Sequence, residues 1–511
     1  MYQNPVIRGM NPDPSICRAG EDYYLAASTM FLYPGVPIHH SRDLIHWRLI
    51  GHCLTRAAHF QPEKTQGPPM IYAPTLRFHD GMFSMITTNV HGGGNFYVTA
   101  TDPAGPWSDP IVVDADVFDP SLFFDDDGKV YYTRRGAMHE KDVVQAEIDI
   151  KTGHLLAPLQ SIGCGMVSDD AEGPHLYHIG DWYYLLLAEG GSRFLHMASI
   201  GRSRSPWGPF APCPHNPILA QHEAWWHPIK SIGHGDLVEA HDGTWWIVFL
   251  GTRHASYDAL SILGRETFLA PLEWRDGWPI VSKQAMRLLT VDAPTLPLHA
   301  WEPPPARDDF NTNHLRLDWT ILTVPGPSLF SLTERPGCLR LWGQAARLEE
   351  GTQTAFAGQR QQDFRCEVAA RMEFAPQSEK DEAGLTVFHR HGYHYDLFQT
   401  IRSGSPALVL RKCVGDIVHE QALVPMPSGP LRLRVTGSPE FYSFAWAADN
   451  DDWHALGTGL TQLLTAEVAG TWVGNLIGVY ATGNGLACAM PADFDWFEYK
   501  GYDAQHKGYD A

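Results

Sequence analysis

Along the first half of the chain, apolar positions fall into short runs separated by turns, and one phrase recurs without any helical spacing. The copies read Pro14-Ser-Ile-Cys-Arg-Ala-Gly-Glu-Asp-Tyr-Tyr24, Pro74-Thr-Leu-Arg-Phe-His-Asp-Gly-Met-Phe83, Pro120-Ser-Leu-Phe-Phe-Asp-Asp-Asp-Gly-Lys-Val-Tyr-Tyr132, Pro174-His-Leu-Tyr-His-Ile-Gly-Asp-Trp-Tyr-Tyr184 and Gly235-Asp-Leu-Val-Glu-Ala-His-Asp-Gly-Thr-Trp-Trp246. Each is a small apolar strand, a turn on Gly or Asp, and a second strand rich in aromatics. Successive copies stand 60, 46, 54 and 61 residues apart (74−14, 120−74, 174−120, 235−174). That period suits four-stranded blades better than helical repeats, and predicts a five-bladed β-propeller.

A second element recurs in Ser41-Arg-Asp-Leu-Ile-His-Trp47, Asp102-Pro-Ala-Gly-Pro-Trp-Ser-Asp109 and Ser203-Arg-Ser-Pro-Trp-Gly-Pro-Phe210, where a Trp in a turn can plug the outer part of a blade. The texture changes near Val291. Pro294, Pro297 and Pro303 to Pro305 predict a stiff, extended linker. Beyond it, short runs such as Arg365-Cys-Glu-Val-Ala-Ala-Arg-Met372 alternate apolar and polar residues and predict an all-β sandwich of jelly-roll, concanavalin-like type. The expected division is a propeller over 1–295, a linker over 296–306, a sandwich over 307–500 and a disordered tail over 501–511, where Lys500-Gly-Tyr-Asp-Ala504 repeats as Lys507-Gly-Tyr-Asp-Ala511.

Charge and composition then narrow the partners. With 511 residues and a formal charge of −20, the chain lacks the basic balance that nucleic acid or an anionic membrane surface requires. No apolar run approaches membrane-spanning length. The start Met-Tyr-Gln-Asn-Pro-Val has neither a charged nor an apolar leader region, and the eight Cys are scattered without CxxC pairing. Together these features imply a reducing cytoplasm, with export by an uncleaved route left open. Seventeen Trp, 19 Tyr and 23 Phe fill β cores first, and they also supply flat faces for sugar rings.

The candidate chemistry stands immediately ahead of the five phrases, at Asp13, Ala73, Asp119, Glu172-Gly173 and His234. Equivalent positions on a propeller's innermost strands face one central pit, so the register gathers three carboxylates and an imidazole. Two acids suffice to hydrolyse a glycosidic bond, one protonated to serve the leaving oxygen and one ionised to activate water. A third disfavours ionisation of the donor and lifts its pKa. Asp13, Asp119 and Glu172 have the numbers for that arrangement. Each also has a plainer reading as a turn residue at a strand start.

The ordered blocks Asn11-Pro-Asp-Pro-Ser15, Phe118-Asp-Pro-Ser-Leu122, Glu172-Gly-Pro-His-Leu-Tyr177, Gly233-His-Gly-Asp-Leu-Val238 and Leu263-Gly-Arg-Glu-Thr267 resemble the signatures of glycoside hydrolase family 43. The likeness extends to its β-xylosidase and α-L-arabinofuranosidase branches with a C-terminal sandwich. It implies an exo-acting, inverting hydrolase that releases terminal α-L-arabinofuranose or β-D-xylose from xylan- or arabinoxylan-derived saccharides. Asp13 then resembles the general base, Glu172 the general acid, and Asp119 the acid that orients Glu172 and raises its pKa. His234 resembles the imidazole at the pit floor and Arg265 the guanidinium that holds sugar hydroxyls. Phe31 and Tyr72 are candidates to stack on the sugar, and Trp472 resembles an aromatic that relatives use to close the pocket.

The resemblance requires no cofactor, although some relatives place a metal ion near the floor, which leaves a cation such as calcium beside His234 open. Pentose-containing oligosaccharides are the expected partners, and a homo-oligomer is left open. Tyr72-Ala-Pro-Thr75 stands where the xylosidase branch tends to have Trp-Ala-Pro-Asp, a departure that, with Thr133-Arg-Arg-Gly136 in the third blade, leans toward the arabinofuranosidase branch. Two alternatives remain: a non-catalytic carbohydrate-binding propeller, and a fructoside-cleaving relative, whose Asn-Asp-Pro-Asn-Gly start this chain lacks.

Overall fold

In the computed structural model of the protein, residues 1–503 are described except 62–63, 65–67, 116, 138–140, 224–225, 257, 284, 287–288, 293–294, 323, 325–328, 351–353, 427–428 and 450. Among the described residues, five antiparallel sheets follow one another in chain order. Their first strands are Ser15–Ala19, Thr75–His79, Ser121–Phe124, Ala171–Ile179 and Ile229–Glu239, one from each copy of the repeated phrase. The first turn of each phrase makes the hairpin. In the second copy His79 pairs with Met82 across Asp80-Gly81, whose φ values of 49° and 78° are those of a two-residue turn with both central residues left-handed, a conformation Gly adopts at no steric cost.

The first strands touch in a closed cycle: Ser15–Ala19 against Thr75–His79, then Ser121–Phe124, Ala171–Ile179, Ile229–Glu239 and back to Ser15–Ala19. The fifth sheet is completed by the start of the chain. Ile7 bridges Thr267, the Asn11 N–H donates to the Arg265 carbonyl (2.9 Å), and the Thr267 hydroxyl donates to the Asn11 carbonyl (2.8 Å). This delivers Asp13 beside strand Arg265–Arg275.

One buried ion pair links four of these sheets. The Arg77 guanidinium meets the two Asp236 carboxylate oxygens at 2.8 and 3.3 Å. Asp236 also accepts from the Ser15 hydroxyl (2.7 Å), the Ile16 N–H (3.0 Å) and the Tyr177 hydroxyl (2.6 Å), while Arg77 reaches His175 Nδ1 at 2.9 Å. Burial alone would raise the Asp236 pKa, but Arg77 and the other groups around it, among them the Tyr177 hydroxyl, together outweigh burial and hold the carboxyl far below its usual range. Burial lowers His175 to about 3, so its ring is neutral. The adjoining sheet is joined through Thr75, whose hydroxyl donates to the Pro120 carbonyl (2.9 Å).

The chain divides into two compact units, Met1–Arg253 with Arg265–Trp301, and His254–Gly264 with Glu302–Ala511. In the second unit two antiparallel sheets pack face to face. Val368, Ala370, Leu433 and Val435 of one sheet and Leu385, Val387, Leu397 and Val479 of the other fill a shared core, the alternate-residue pattern of a sandwich. The segment His254–Gly264, expected within 1–295, belongs to this unit because Ile262 and Leu263 bury against Phe364, and the Asn475 N–H donates to the Ile262 carbonyl (2.9 Å).

The linker expected over 296–306 lies partly on the first unit. Leu296 is buried in its core, the His299 N–H donates to Asp43 (2.7 Å), and Trp301 carries the Arg48 guanidinium 3.8 Å from its ring centre. Of the expected tail, Tyr502 donates its N–H to the Arg365 carbonyl and Asp503 accepts from the Phe364 and Arg365 N–H groups; residues 504–511, like Pro294, lie outside the described residues. Among the described residues no helix is long and apolar enough to cross a membrane.

Removing one partner of a buried ion pair strands the other charge, so Asp236→Ala is expected to cost about 3–5 kcal/mol, read as a lower unfolding midpoint in thermal or urea scans. An unchanged midpoint would show that the pair does not hold the sheets together. His196, like His175, is lowered to about 3 by burial. Because both folded values lie below the unfolded value of about 6.5, the unfolded chain binds more protons between them. Their stabilisation is therefore full above about pH 6.5 and falls as pH drops toward 3, which thermal scans across that range will read.

Candidate active site

The residues that precede the repeated phrases share an uncommon backbone. Asp13, Asp119, Gly173 and His234 have φ of 53°, 60°, 54° and 44°, in the left-handed region that costs a non-glycine residue about 1–3 kcal/mol. Such a conformation persists only where the surroundings over-determine it. At Asp13 one carboxylate oxygen accepts from Arg265 Nη1 (3.1 Å) and the other from the Ser28 hydroxyl. At Asp119 the carboxylate accepts the Gly173 N–H (3.2 Å). Gly173 itself leaves room for His234, since a Cβ there would stand 2.8 Å from the ring.

These backbone turns bring the predicted acids together. Asp13 is 5% exposed, with His234 Nδ1 3.8 Å from its carboxylate. Burial would raise its pKa, but the Arg265 guanidinium, then His234 and the Ser28 hydroxyl, outweigh burial and hold the carboxyl below its usual value. The opposite holds across the pit. Asp119 is pushed well above the usual range by burial first and then by repulsion from Glu172 and Asp13. Glu172 rises to about 7, chiefly through burial, with Asp170 and Asp13 pushing up and Arg135 pulling down. One ionised carboxylate thus faces a pair that retains a proton near neutral pH.

Arg265 is buried, and its Nε makes no hydrogen bond among the described residues. A buried donor without a partner costs about 1–3 kcal/mol, and a hydroxylated ligand would satisfy it. Tyr72 feels the charges of Asp119, Arg265, Asp13 and Glu172, and its ring meets Phe118 edge to face at 5.7 Å. Phe31 is half-buried, next to Met30, which bridges Ile71, so Phe31 and Tyr72 flank one backbone bridge. Trp472 belongs to the second unit and is 40% exposed, so it is not a core residue of the sandwich.

Several residues at the pit escape the sequence pattern. Arg135 ends strand Val130–Arg135 and reaches Glu172 at 3.4 Å and Asp170 at 3.0 Å, with its guanidinium 5.3 Å from the Phe118 ring centre. Phe118 carries a signal, since it directly precedes Asp119; Arg135 lies in Thr133-Arg-Arg-Gly136, which bears on the branch but not on its contact with Glu172, and Ser28 carries none. His196 lies against Gly233, where a Cβ would come within 2.6 Å of its ring, and burial keeps this imidazole neutral.

The surroundings of His234 do not fit calcium, which takes six to eight oxygen ligands. Asp13, 3.8 Å from the ring, is already held by Arg265, whose positive charge opposes a cation. Among the described residues, the groups of three or more His, Cys, Asp and Glu whose ligand atoms converge lie elsewhere, at Glu349, His394 and Cys413 and at Asp125, Asp126 and His178.

Comparison with known proteins places this geometry in context. The family model described as "Glycosyl hydrolases family 43" matches residues 2–279, and "Beta xylosidase C-terminal Concanavalin A-like domain" matches residues 307–500. The chain is 43% identical over 516 residues to "Non-reducing end alpha-L-arabinofuranosidase BoGH43B" of Bacteroides ovatus, covering 98% of this chain and 95% of the relative. It is 35% identical over 528 residues to "Xylan 1,3-beta-xylosidase" of a Vibrio species, covering 97% and 98%. The solved structure "Bacteroides ovatus Xyloglucan PUL GH43B" aligns with a TM-score of 0.94 at 43% identity, covering 98% of this chain and 99% of the other.

The two neighbours of Glu172 pull its pKa in opposite directions, so their substitutions are expected to do the same. Arg135→Gln removes a cation and raises the Glu172 carboxyl pKa, whereas Asp170→Asn removes a like charge and lowers it. Carboxyl-selective 13C NMR titration of Glu172 in both variants checks the signs. A shift of the same sign in both would refute this electrostatic account.

Proposed function

The chain belongs to glycosyl hydrolase family 43, and on that premise we propose how this glycoside hydrolase works and what it cleaves. The fold is a β-propeller joined to a concanavalin-like domain, and the five sheets are read as its five blades. The enzyme is exo-acting. Its proposed substrates are pentose-containing oligosaccharides derived from xylan or arabinoxylan, from which it removes terminal α-L-arabinofuranose and, in the same pocket, β-D-xylose. The similarity to relatives named as an arabinofuranosidase and a xylosidase supports both sugars.

The observation that carries the mechanism is the opposite displacement of the carboxyls, with Asp13 held ionised and Glu172 held protonated. Environments that push two acids apart assign base and acid. Glu172 gives its proton to the glycosidic oxygen as the bond from that oxygen to the anomeric carbon breaks. Asp13 takes a proton from water, whose oxygen attacks the same carbon from the opposite face, so the configuration inverts. The proton on Asp13 then returns through solvent to Glu172.

Asp119 assists from behind. The two neighbouring carboxyls cannot both ionise, so the pair keeps a proton, and the bond from the Gly173 N–H to Asp119 fixes the backbone that carries the acid. Arg265 anchors the base through one Nη and offers its unpartnered Nε to a sugar hydroxyl, while His234 provides a neutral wall at the floor. Tyr72 and Phe31 supply faces for the sugar ring. The two sugars are isomeric pentoses that can present similar hydroxyl patterns, and a methylene more or less at a pocket wall changes binding by only about 1–3 kcal/mol, so one pocket serves both.

A panel of aryl α-L-arabinofuranosides and β-D-xylosides, with arabinoxylan and xyloglucan oligosaccharides beside them, tests the substrate reading. The expected result is turnover of both pentosides, with the anomeric product of opposite configuration in the first 1H NMR spectra; retained configuration overturns the proposed role of Asp13. Asp13→Asn and Glu172→Gln are expected to lower kcat/KM on natural oligosaccharides by about 10²–10⁴-fold. The Glu172 variant loses much less on substrates whose leaving group needs no proton. Near wild-type turnover of arabinoxylan fragments by either variant would remove that residue from its role.

A further inference from the structure

The second unit contains a polar cluster that the glycosidase chemistry does not use. Strands Tyr393–Arg402 and Ser405–Val414 pair with His394 opposite Cys413, so the two side chains leave the sheet on the same face. Both are buried, at 0% and 1% exposure. Glu349 approaches from a neighbouring turn, with Oε1 3.7 Å from His394 Nε2. One ligand atom from each of Glu349, His394 and Cys413 lies within 4.8 Å of the other two.

The imidazole is oriented from its far side. His394 Nδ1 faces both Asp396 oxygens at 2.8 and 2.9 Å, and Asp396 is held in turn by Arg411 (3.0 Å) and the Thr386 hydroxyl (2.8 Å). The Phe388 ring stacks on the imidazole at 6.1 Å. Nδ1 is therefore committed as the donor to a carboxylate, and Nε2 is presented to Glu349 and Cys413. Among the described residues Nε2 meets no acceptor at hydrogen-bond distance, Glu349 standing at 3.7 Å, and the buried hydroxyl of Tyr480, which feels the charge of Glu349, also lacks a hydrogen bond. Two buried polar atoms thus lack a hydrogen bond, at about 1–3 kcal/mol each.

We propose that Glu349, His394 and Cys413 bind a divalent transition-metal ion of the zinc class, with Asp396 as the outer carboxylate that fixes the imidazole. The donor set makes the choice. Thiolate and imidazole suit zinc and its neighbours, whereas calcium and magnesium take oxygen ligands. A carboxylate on the non-ligating nitrogen is the usual support of a metal-bound His. Three protein ligands leave a fourth position for water. The ion ties the turn that carries Glu349 to the strands of His394 and Cys413, so its effect is on the stability of the sandwich.

The test uses the full chain, stripped with a chelator and titrated with Co2+ and then Zn2+. One equivalent of Co2+ per chain is expected, with a thiolate-to-metal charge-transfer band that Cys413→Ser abolishes, and Zn2+ is expected to raise the unfolding midpoint. Glu349→Gln alters a partly exposed residue and leaves the core intact, so it covers the case in which the Cys413 variant fails to fold. It should weaken binding by about 10–100-fold, the scale on which groups of such sites act. Absence of stoichiometric binding, a Co2+ spectrum without the thiolate band, or unchanged affinity in Glu349→Gln overturns the proposal and leaves His394 as an imidazolium held between carboxylates.

Discussion

The buried pair of Arg77 and Asp236 sets the positions from which the active site is built. It draws Ser15, Arg77, His175 with Tyr177, and Asp236 from four different sheets into one hydrogen-bonded knot. Three of those residues stand a short step along the chain from a pit residue: Ser15 from Asp13, His175 from Glu172, and Asp236 from His234. Fixing the knot therefore fixes where the acids and the imidazole emerge. Ion pairs in low dielectric add little net stability over an apolar core, but they tolerate few alternative arrangements. Registering several sheets about one centre is a task that calls for such intolerance.

Above the knot, the pit spends stability on geometry. Asp13, Asp119 and His234 all occupy left-handed backbone that side chains other than glycine avoid, and crowded carboxyls repel across the same space. Arg265 and Arg135 divide the compensation. Arg265 pairs with the carboxyl that must stay charged, and Arg135 only partly offsets the burial of the one that must keep its proton. The asymmetry between base and acid comes from where the two guanidinium groups sit, since the carboxyls themselves are chemically alike.

Local features of the chain carried most of this architecture in legible form. The phrase beginning at Pro14, Pro74, Pro120, Pro174 and Gly235 marks the first hairpin of every sheet, and the acids were readable because they occupy one register ahead of it. Arg77 and Asp236 lie inside the same phrases, yet as isolated polar residues on strands they signal nothing, because their partnership spans 159 residues. Ser28 and His196 are likewise isolated polar residues, and the stretch Thr133-Arg-Arg-Gly136 gives no sign that Arg135 reaches Glu172. The apolar pair Ile262 and Leu263 reads as ordinary strand material, and only the proximity of Phe364 reveals which core it joins. The prolines before Trp301 suggested an extended spacer, but Leu296 and Trp301 bury apolar surface that a free spacer would leave in water.

The excursion of residues 254–264 bears on how this protein could be taken apart. Because strand Trp245–Arg253 ends in one unit, the chain enters the other for Ile262 to Gly264, and strand Arg265–Arg275 begins back in the first, the backbone crosses between units three times rather than once. Cutting the gene at the proline-rich stretch would leave the first piece with an apolar loop deprived of Phe364, and the second with a vacancy beside Gly474, where Gly264 packs close enough that a Cβ on either glycine would collide with the other's backbone. Along the chain the two units are interleaved, so a single cut does not separate their residues.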